Sequence, residues 1–234
     1  MADASFRFHG VLHDFLPRQH RGVAFTHACA RAASLKNAIE ALGVPHTEVG
    51  RLTVNGARAT LQRIVREGDA VEVFAKGEEL GSDPIFLADA HLGGLARFLR
   101  MLGFDTLHDH AFADRDIRRL AHEERRIVLS RDRELLKCRE IARGCYVHAL
   151  KAEAQLREVA ERYGLAARAR PFTRCLRCNF ELRPVAKAEI EDALPPKVRE
   201  TQERFVRCEG CGRIYWPGSH YARMRAALGD LLGA

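Results

Sequence analysis

Apolar and polar residues alternate along the first third of the chain. "SFRFHGVL" and "GVAFTHACA" have the period of two expected of half-buried strands, joined by a loop containing Pro17. Ser34 then caps a helix, "SLKNAIEALG", and Gly43 ends it. "RLTVNGARA" holds Asn55-Gly56, a strong short hairpin signal. "REGDAVEVFAK" predicts a turn and a final strand. The order β-β-α-β-β predicts a small β-grasp unit over residues 1–79.

The pattern changes after "KGEELGSDP" (76–84), which reads as a linker rich in glycine and acids. "IFLAD" is a buried strand. "LGGLARFLRMLG" sets Leu92, Leu95, Leu99 and Leu102 on one helical face, with Gly103 closing the helix. "FDTL" is a second strand and "DRDIRRLAHEE" a helix opened by acids. "RIVLS" is a third strand followed by a helix, "ELLKCREIA". "CYVHAL" is a fourth strand, followed by the helix "AEAQLREVAERYG". Strands alternating with helices predict an α/β domain over 83–168, its parallel sheet covered on both faces. A second break falls at "GLAARARPF", and a third segment occupies 172–234.

Composition narrows the reading. The 234 residues are 47% hydrophobic, enough for one large core or two to three small ones. Charged residues are 29% and no segment is of low complexity, which excludes long disorder. The start, "MADASFRFHG", has no apolar core of a secretory signal, and no stretch reaches the ~20 apolar residues of a bilayer span. A cytoplasmic protein with no membrane partner is expected. The net charge of +7 favours an anionic partner. Residues 1–79 carry 10 basic and 9 acidic side chains, 80–170 carry 17 and 14, and 171–234 carry 11 and 8, so the excess sits in the last two segments.

In an open parallel α/β sheet, ligands bind beyond the carboxyl ends of the strands. Asp89 ends the first strand of the middle segment, Asp132 follows the third, and Asp116 lies in the first turn of the helix before it. Asp105 and Asp109 follow the second strand. Carboxylates gathered on one edge repel, and a hard divalent ion, Mg²⁺ or Mn²⁺, suits their oxygens. Arg131 and Arg133 flank Asp132 and could hold phosphate oxygens. The competing reading is that Asp114, Asp116 and Asp132, all near helix starts, only cap helices.

Seven cysteines include two CxxC pairs, Cys175/Cys178 and Cys208/Cys211, separated by 29 residues. Two such knuckles make a tetrahedral four-cysteine site for structural Zn²⁺, with no open position for catalysis. "PVAKAEIEDALPPKVRE" supplies a short helix in the spacer, and His220 reads as a surface or packing histidine rather than a ligand. Tyr215 and Trp216 either stack on bases or pack the ribbon's small core. Cys29, Cys138 and Cys145 have no partner spacing and read as buried thiols.

The first segment resembles ubiquitin and the ThiS and MoaD sulfur carriers in its pattern and in "VNG" and "GDAVEVF". Gly77 stands alone where those carriers end in Gly-Gly, so a binding or scaffolding module is the plainer reading. "FLADAHLGGLARFLRMLGFDT", "DRDIRRLA" and "RRIVLSRDREL" resemble the PIN-like RNase family named for the C-terminal region of the mutator-seven exonuclease. The ubiquitin-like segment and the zinc ribbon fit that family too. The resemblance implies metal-dependent RNA cleavage, with Asp89, Asp116 and Asp132 at the three acidic positions. A fourth acid could be Asp105, Asp109 or Glu134. The implied roles add Arg131 as a catalytic cation, and Arg97, Arg100, Arg133, Arg177, Arg213 and Trp216 as contacts to RNA, whether tRNA or another structured RNA. The alternative is a non-catalytic RNA-binding or ribosome-associated module that keeps the PIN fold as a scaffold.

Overall fold

The computed structural model describes residues 1–77 and 83–232; residues 78–82 of the predicted linker lie outside the described residues. In chain order the elements begin with β1 (Ala2–Phe8), β2 (Phe25–Cys29), α1 (Leu35–Ala41), β3 (Val49–Val54), β4 (Ala57–Ala59) and β5 (Ala70–Ala75). Then come β6 (Phe86–Ala88), α2 (Gly93–Met101), β7 (Thr106–Leu107), α3 (Asp114–Glu124), β8 (Ile127–Ser130), α4 (Arg133–Lys137), β9 (Gly144–Tyr146) and α5 (Ala152–Tyr163). The last are β10 (Leu182–Val185), α6 (Pro196–Thr201), β11 (Phe205–Cys208), β12 (Ile214–Tyr215) and α7 (Ser219–Leu232). The chain packs as two compact units, Met1–Glu79 with Ala111–His148 and Leu80–His110 with Ala149–Ala234.

In the first unit, a five-stranded sheet has the order β2-β1-β5-β3-β4, with β1 parallel to β5. This is the ubiquitin-like β-grasp. The alternation of β1 buries Ala4, Phe6 and Phe8 against Leu35 and Ile39 of α1. The Ser34 hydroxyl accepts the Asn37 N–H at 3.2 Å, the cap expected of it. Asn55 (φ 50°) and Gly56 (φ 79°) turn the β3–β4 hairpin, and β4 adds a three-residue edge strand beyond the predicted order. The same unit holds β8 and β9, paired in parallel. All four residues of β8 are fully buried, which explains its unbroken apolar run. α3 packs on β8 through Ile117 and Ala121, and Arg125 ends it in the left-handed conformation (φ 54°).

α4 is shorter than its periodicity predicts. It stops at Lys137, and Cys138 is extended. Ile141 is then fully buried and its carbonyl accepts from His46 Nε2 at 3.1 Å. That tertiary bond and burial override a helical continuation.

In the second unit β6 and β7 pair in parallel, Phe86 with Thr106 and Leu87 with Leu107. Leu92, Leu95, Leu99 and Leu102 form the predicted buried face of α2. α2 packs on α5 closely enough that a Cβ on Gly94 would lie 2.9 Å from Ala152 Cβ. Residues 182–215 form the antiparallel sheet β10-β11-β12 over a small core of Ile190, Leu194 and Phe205. The predicted spacer helix is present only as α6, begun by Pro196 at its first position. No helix among the described residues is long and apolar enough to cross a membrane.

Candidate functional site

Two turns of the same construction deliver the four spaced cysteines. In the first, the Cys175 N–H donates to Phe180 O at 2.8 Å and the Asn179 N–H to Cys175 O at 3.0 Å. In the second, the Cys208 N–H donates to Arg213 O at 2.9 Å and the Gly212 N–H to Cys208 O at 2.8 Å. The residue after each second cysteine is left-handed, Asn179 at φ 69° and Gly212 at φ 69°. Glycine and asparagine are among the few residues that take that conformation at little cost.

The turns face each other. Sγ of Cys175 and Cys211 are 3.7 Å apart, and Sγ of Cys178 and Cys208 are 3.3 Å apart. The four sulfurs all lie within 4.8 Å of one another, and they form the one such group of three or more metal-ligating side chains among the described residues. A tetrahedron with metal–sulfur bonds of ~2.3 Å has edges of roughly 3.8 Å. Four thiols so placed can hold a metal such as zinc. Their acidities point the same way. Burial raises Cys175, but the Tyr215 hydroxyl, 3.1 Å from its sulfur, and nearby backbone N–H groups outweigh burial and bring it to about 6. Burial and the Cys208 sulfur push Cys178 up to about 12, and burial also raises Cys208. One thiolate forms easily and the next ones resist, a conflict that a bound cation removes.

The first knuckle is anchored to α2 and β7. Arg100 is 5% exposed. Its Nε donates to Thr106 O at 2.8 Å, and its Nη1 donates to Leu176 O at 3.2 Å and Arg177 O at 2.8 Å. Burial lowers its pKa, against the pull of Cys175, Cys178 and Asp105. The buried Asn179 amide accepts the Thr106 N–H at 3.0 Å and donates to Asp105 Oδ1 at 2.8 Å. Arg174 donates to Gly103 O and Asn179 O and sits 3.8 Å from Asp105 Oδ2. Asp105, expected as a possible fourth acid, thus serves the knuckle.

The acids occupy strand ends and helix starts. In the second unit, Asp89 follows β6 and its Oδ1 accepts the Ala90 N–H at 2.6 Å. His108 Nε2 lies 3.2 Å from Ala90 O, and burial lowers its pKa. Asp109 is exposed. In the first unit, Asp116 Oδ2 accepts the Ala113 N–H at 3.1 Å. Asp132 Oδ1 accepts the N–H groups of Glu134 (2.8 Å) and Leu135 (3.3 Å), while its own N–H donates to Ser130 Oγ at 2.9 Å. α3 and β8 are joined by Arg125 and Arg126 alone and pack together, so the start of α3 and the end of β8 share one end of the pair. Asp116 and Asp132 are both at that end. Each cap uses one carboxylate oxygen, and the other accepts no hydrogen bond from a described residue. Glu134 is exposed and pairs with Lys137 at 2.6 Å.

The cations divide into two sets. Arg97, Arg177 and Arg213 are exposed. Arg100 is corrected from an RNA contact to a buried anchor, because it is shut away from solvent with Nε and Nη1 on three carbonyls. Arg131 Nη1 donates to His148 O at 3.1 Å. Arg133 donates to Phe15 O (3.2 Å) and Asp14 O (3.3 Å) and lies over the Phe15 ring. Trp216 is half-buried against the ribbon core, the packing side of its two readings. His220 falls among side chains outside the described residues. Sequence reasoning missed Asn179 and the sulfur bond of Tyr215. Their signals were an asparagine directly after a CxxC pair, where glycine stands in the second knuckle, and a tyrosine four residues past Cys211.

A family model described as the Mut7-C RNAse domain matches residues 84–228, more than half of the chain. A second, described as Mut7-C ubiquitin, matches residues 1–80. No curated protein and no solved structure matches the chain.

Proposed function

The chain belongs to the Mut7-C RNase domain family, and from that premise we propose that it is a metal-dependent ribonuclease that hydrolyses RNA phosphodiester bonds. Asp89, Asp116 and Asp132 would hold Mg²⁺ or Mn²⁺. Such an ion polarises a phosphate and lowers the pKa of bound water. What supports the reading most is that Asp116 and Asp132 lie toward the same end of α3 and β8, each with an oxygen its cap does not use. The caps fix each carboxylate's direction, which is what a ligand needs. Asp109 and Glu134 stay as candidates for a fourth acid. Arg131, oriented by the His148 carbonyl, would steady charge on the phosphate.

The four cysteines would hold structural Zn²⁺, and the ribbon would contact RNA through Arg177 and Arg213, with Arg97 from α2. Trp216 could still offer the exposed part of its ring to a base. A second reading has its own support: Asp116 and Asp132 cap helices, as a non-catalytic RNA-binding scaffold would require. Incubation of the purified chain with total RNA, in Mn²⁺ or in chelator, separates the two. The ribonuclease cleaves only with Mn²⁺. A scaffold retains RNA intact in both.

A further inference from the structure

Two 3-10 turns of the ubiquitin-like sequence, Gly10–Phe15 and His46–Glu48, face the segment that surrounds Asp132 in the first unit. Glu48 is 1% exposed, and its Oε1 accepts the Tyr146 N–H at 2.7 Å. His46 Nε2 donates to Ile141 O at 3.1 Å, and its Nδ1 is 2.7 Å from Glu40 Oε1. Thr47 packs so near Gly144 that a Cβ there would lie 3.1 Å from its Cγ2 and 2.8 Å from Leu136 Cδ2. Phe15 meets Tyr146 and His148 edge-on, with centroids 5.1 and 5.5 Å apart. Arg133 closes the set. Its guanidinium spans the carbonyls of Asp14 and Phe15 and lies 4.9 Å from the Phe15 ring centroid and 5.6 Å from that of Tyr146.

We propose that the ubiquitin-like segment is an internal splint for Asp132, holding β9 through Glu48, the loop before β9 through His46, and the residue beside Asp132 through the Arg133 fork. The path is short. Tyr146, fixed by Glu48, is the register partner of Ser130, and Ser130 Oγ receives the Asp132 N–H. Arg133 is covalently next to Asp132, so its fork limits how the cap can swing. A group as buried as Glu48 specifies one arrangement, because unmaking its bond to Tyr146 leaves the carboxylate without that donor where water does not replace it. Arg133 therefore acts as a positioning residue, with its donors turned toward Asp14 and Phe15. The catalytic consequence rests on the ribonuclease reading, but the mechanical claim does not. A displacement near 1 Å at a ligand can cost on the order of 100-fold in rate.

The experiment uses the full chain. Amide hydrogen exchange over residues 128–133 and 144–148 is compared for wild type, Glu48→Ala, Glu48→Gln, Arg133→Ala and Arg7→Ala, with Mn²⁺-dependent cleavage measured in parallel. The splint predicts exchange at least tenfold faster in that window for Glu48→Ala and Arg133→Ala. It predicts near wild-type exchange for Glu48→Gln, which keeps the acceptor, and for Arg7→Ala on the exposed face of β1. Cleavage by Arg133→Ala should lose kcat with KM within about twofold. Unchanged exchange in Arg133→Ala overturns the splint, as does a raised KM at unchanged kcat, the mark of a phosphate contact. If the wild type does not cleave RNA at all, the ribonuclease reading falls while the exchange result still decides the splint.

Discussion

The cysteine site and the acidic residues draw their donors from the chain in opposite ways. Each pair of cysteines comes from one tight turn, and two turns of one design complete a closed set of four sulfurs. The acids come singly, each from the junction of an element and a loop, and each is already bound to a backbone N–H. A closed site can be built by local turn chemistry, because every ligand has only one task. An open site must leave ligand capacity unused, so it borrows residues that the fold has placed for other reasons. The same cap that fixes Asp132 for a metal would fix it for nothing at all. Geometry around one acid cannot separate those two uses, whereas sulfur geometry alone nearly defines its ligand.

Substitutions that strike the two kinds of site should differ most in stability. Cys208→Ser should have the largest effect, because a structural zinc site contributes ~10–16 kcal/mol on binding and is coupled to folding. The ribbon should unfold and zinc content fall to zero by metal analysis, with the amides of the β-grasp sheet still protected. Retained zinc with a folded ribbon would contradict the closed site. Arg100→Met comes next. It leaves the carbonyls of Thr106, Leu176 and Arg177 without their buried donor and should cost roughly 3–5 kcal/mol in urea unfolding. A cost below ~1 kcal/mol would show that the knuckle is not anchored there.

A purely structural carboxylate gives the middle case. Both oxygens of Asp69 are used, by Arg63, Asn55 and the Arg66 N–H, and it is 3% exposed. The Arg63 side chain, ahead of the other partners, holds its carboxyl below the ordinary range. Since the folded pKa is the lower one, its stabilisation is full above the unfolded value of ~3.9 and is lost as pH falls through the folded value. Asp69→Asn should therefore cost about 2–3 kcal/mol at pH 7, with the gap to wild type closing only in strong acid. A gap independent of pH would refute the ion pair.

Most of the fold was legible because it rests on local signals. Alternation placed β1 and β5, Asn55-Gly56 placed the hairpin, and the leucine spacing placed α2. The cysteine ligands were legible from spacing alone. Tertiary choices were not. Nothing in "ELLKCREIA" says that α4 ends at Lys137, since the cause is Ile141 meeting His46 from ninety-five residues away. Arg100 reads as one more basic residue of a basic segment, yet it is buried, because its partners are carbonyls, which leave no mark in sequence. Of the acids, the chain order alone tells that Asp116 and Asp132 share an end of α3 and β8. It does not tell that caps take one oxygen from each.

Asp132→Asn should have the smallest effect on stability and decides the central claim. Asparagine caps a helix about as well as aspartate, so the unfolding free energy should stay within ~0.5 kcal/mol of wild type. Mn²⁺-dependent RNA cleavage, measured beside it on the same preparations, should fall by at least about 100-fold because a charged ligand is lost. Full cleavage by a stable Asp132→Asn protein would contradict the account and leave Asp132 as a cap alone.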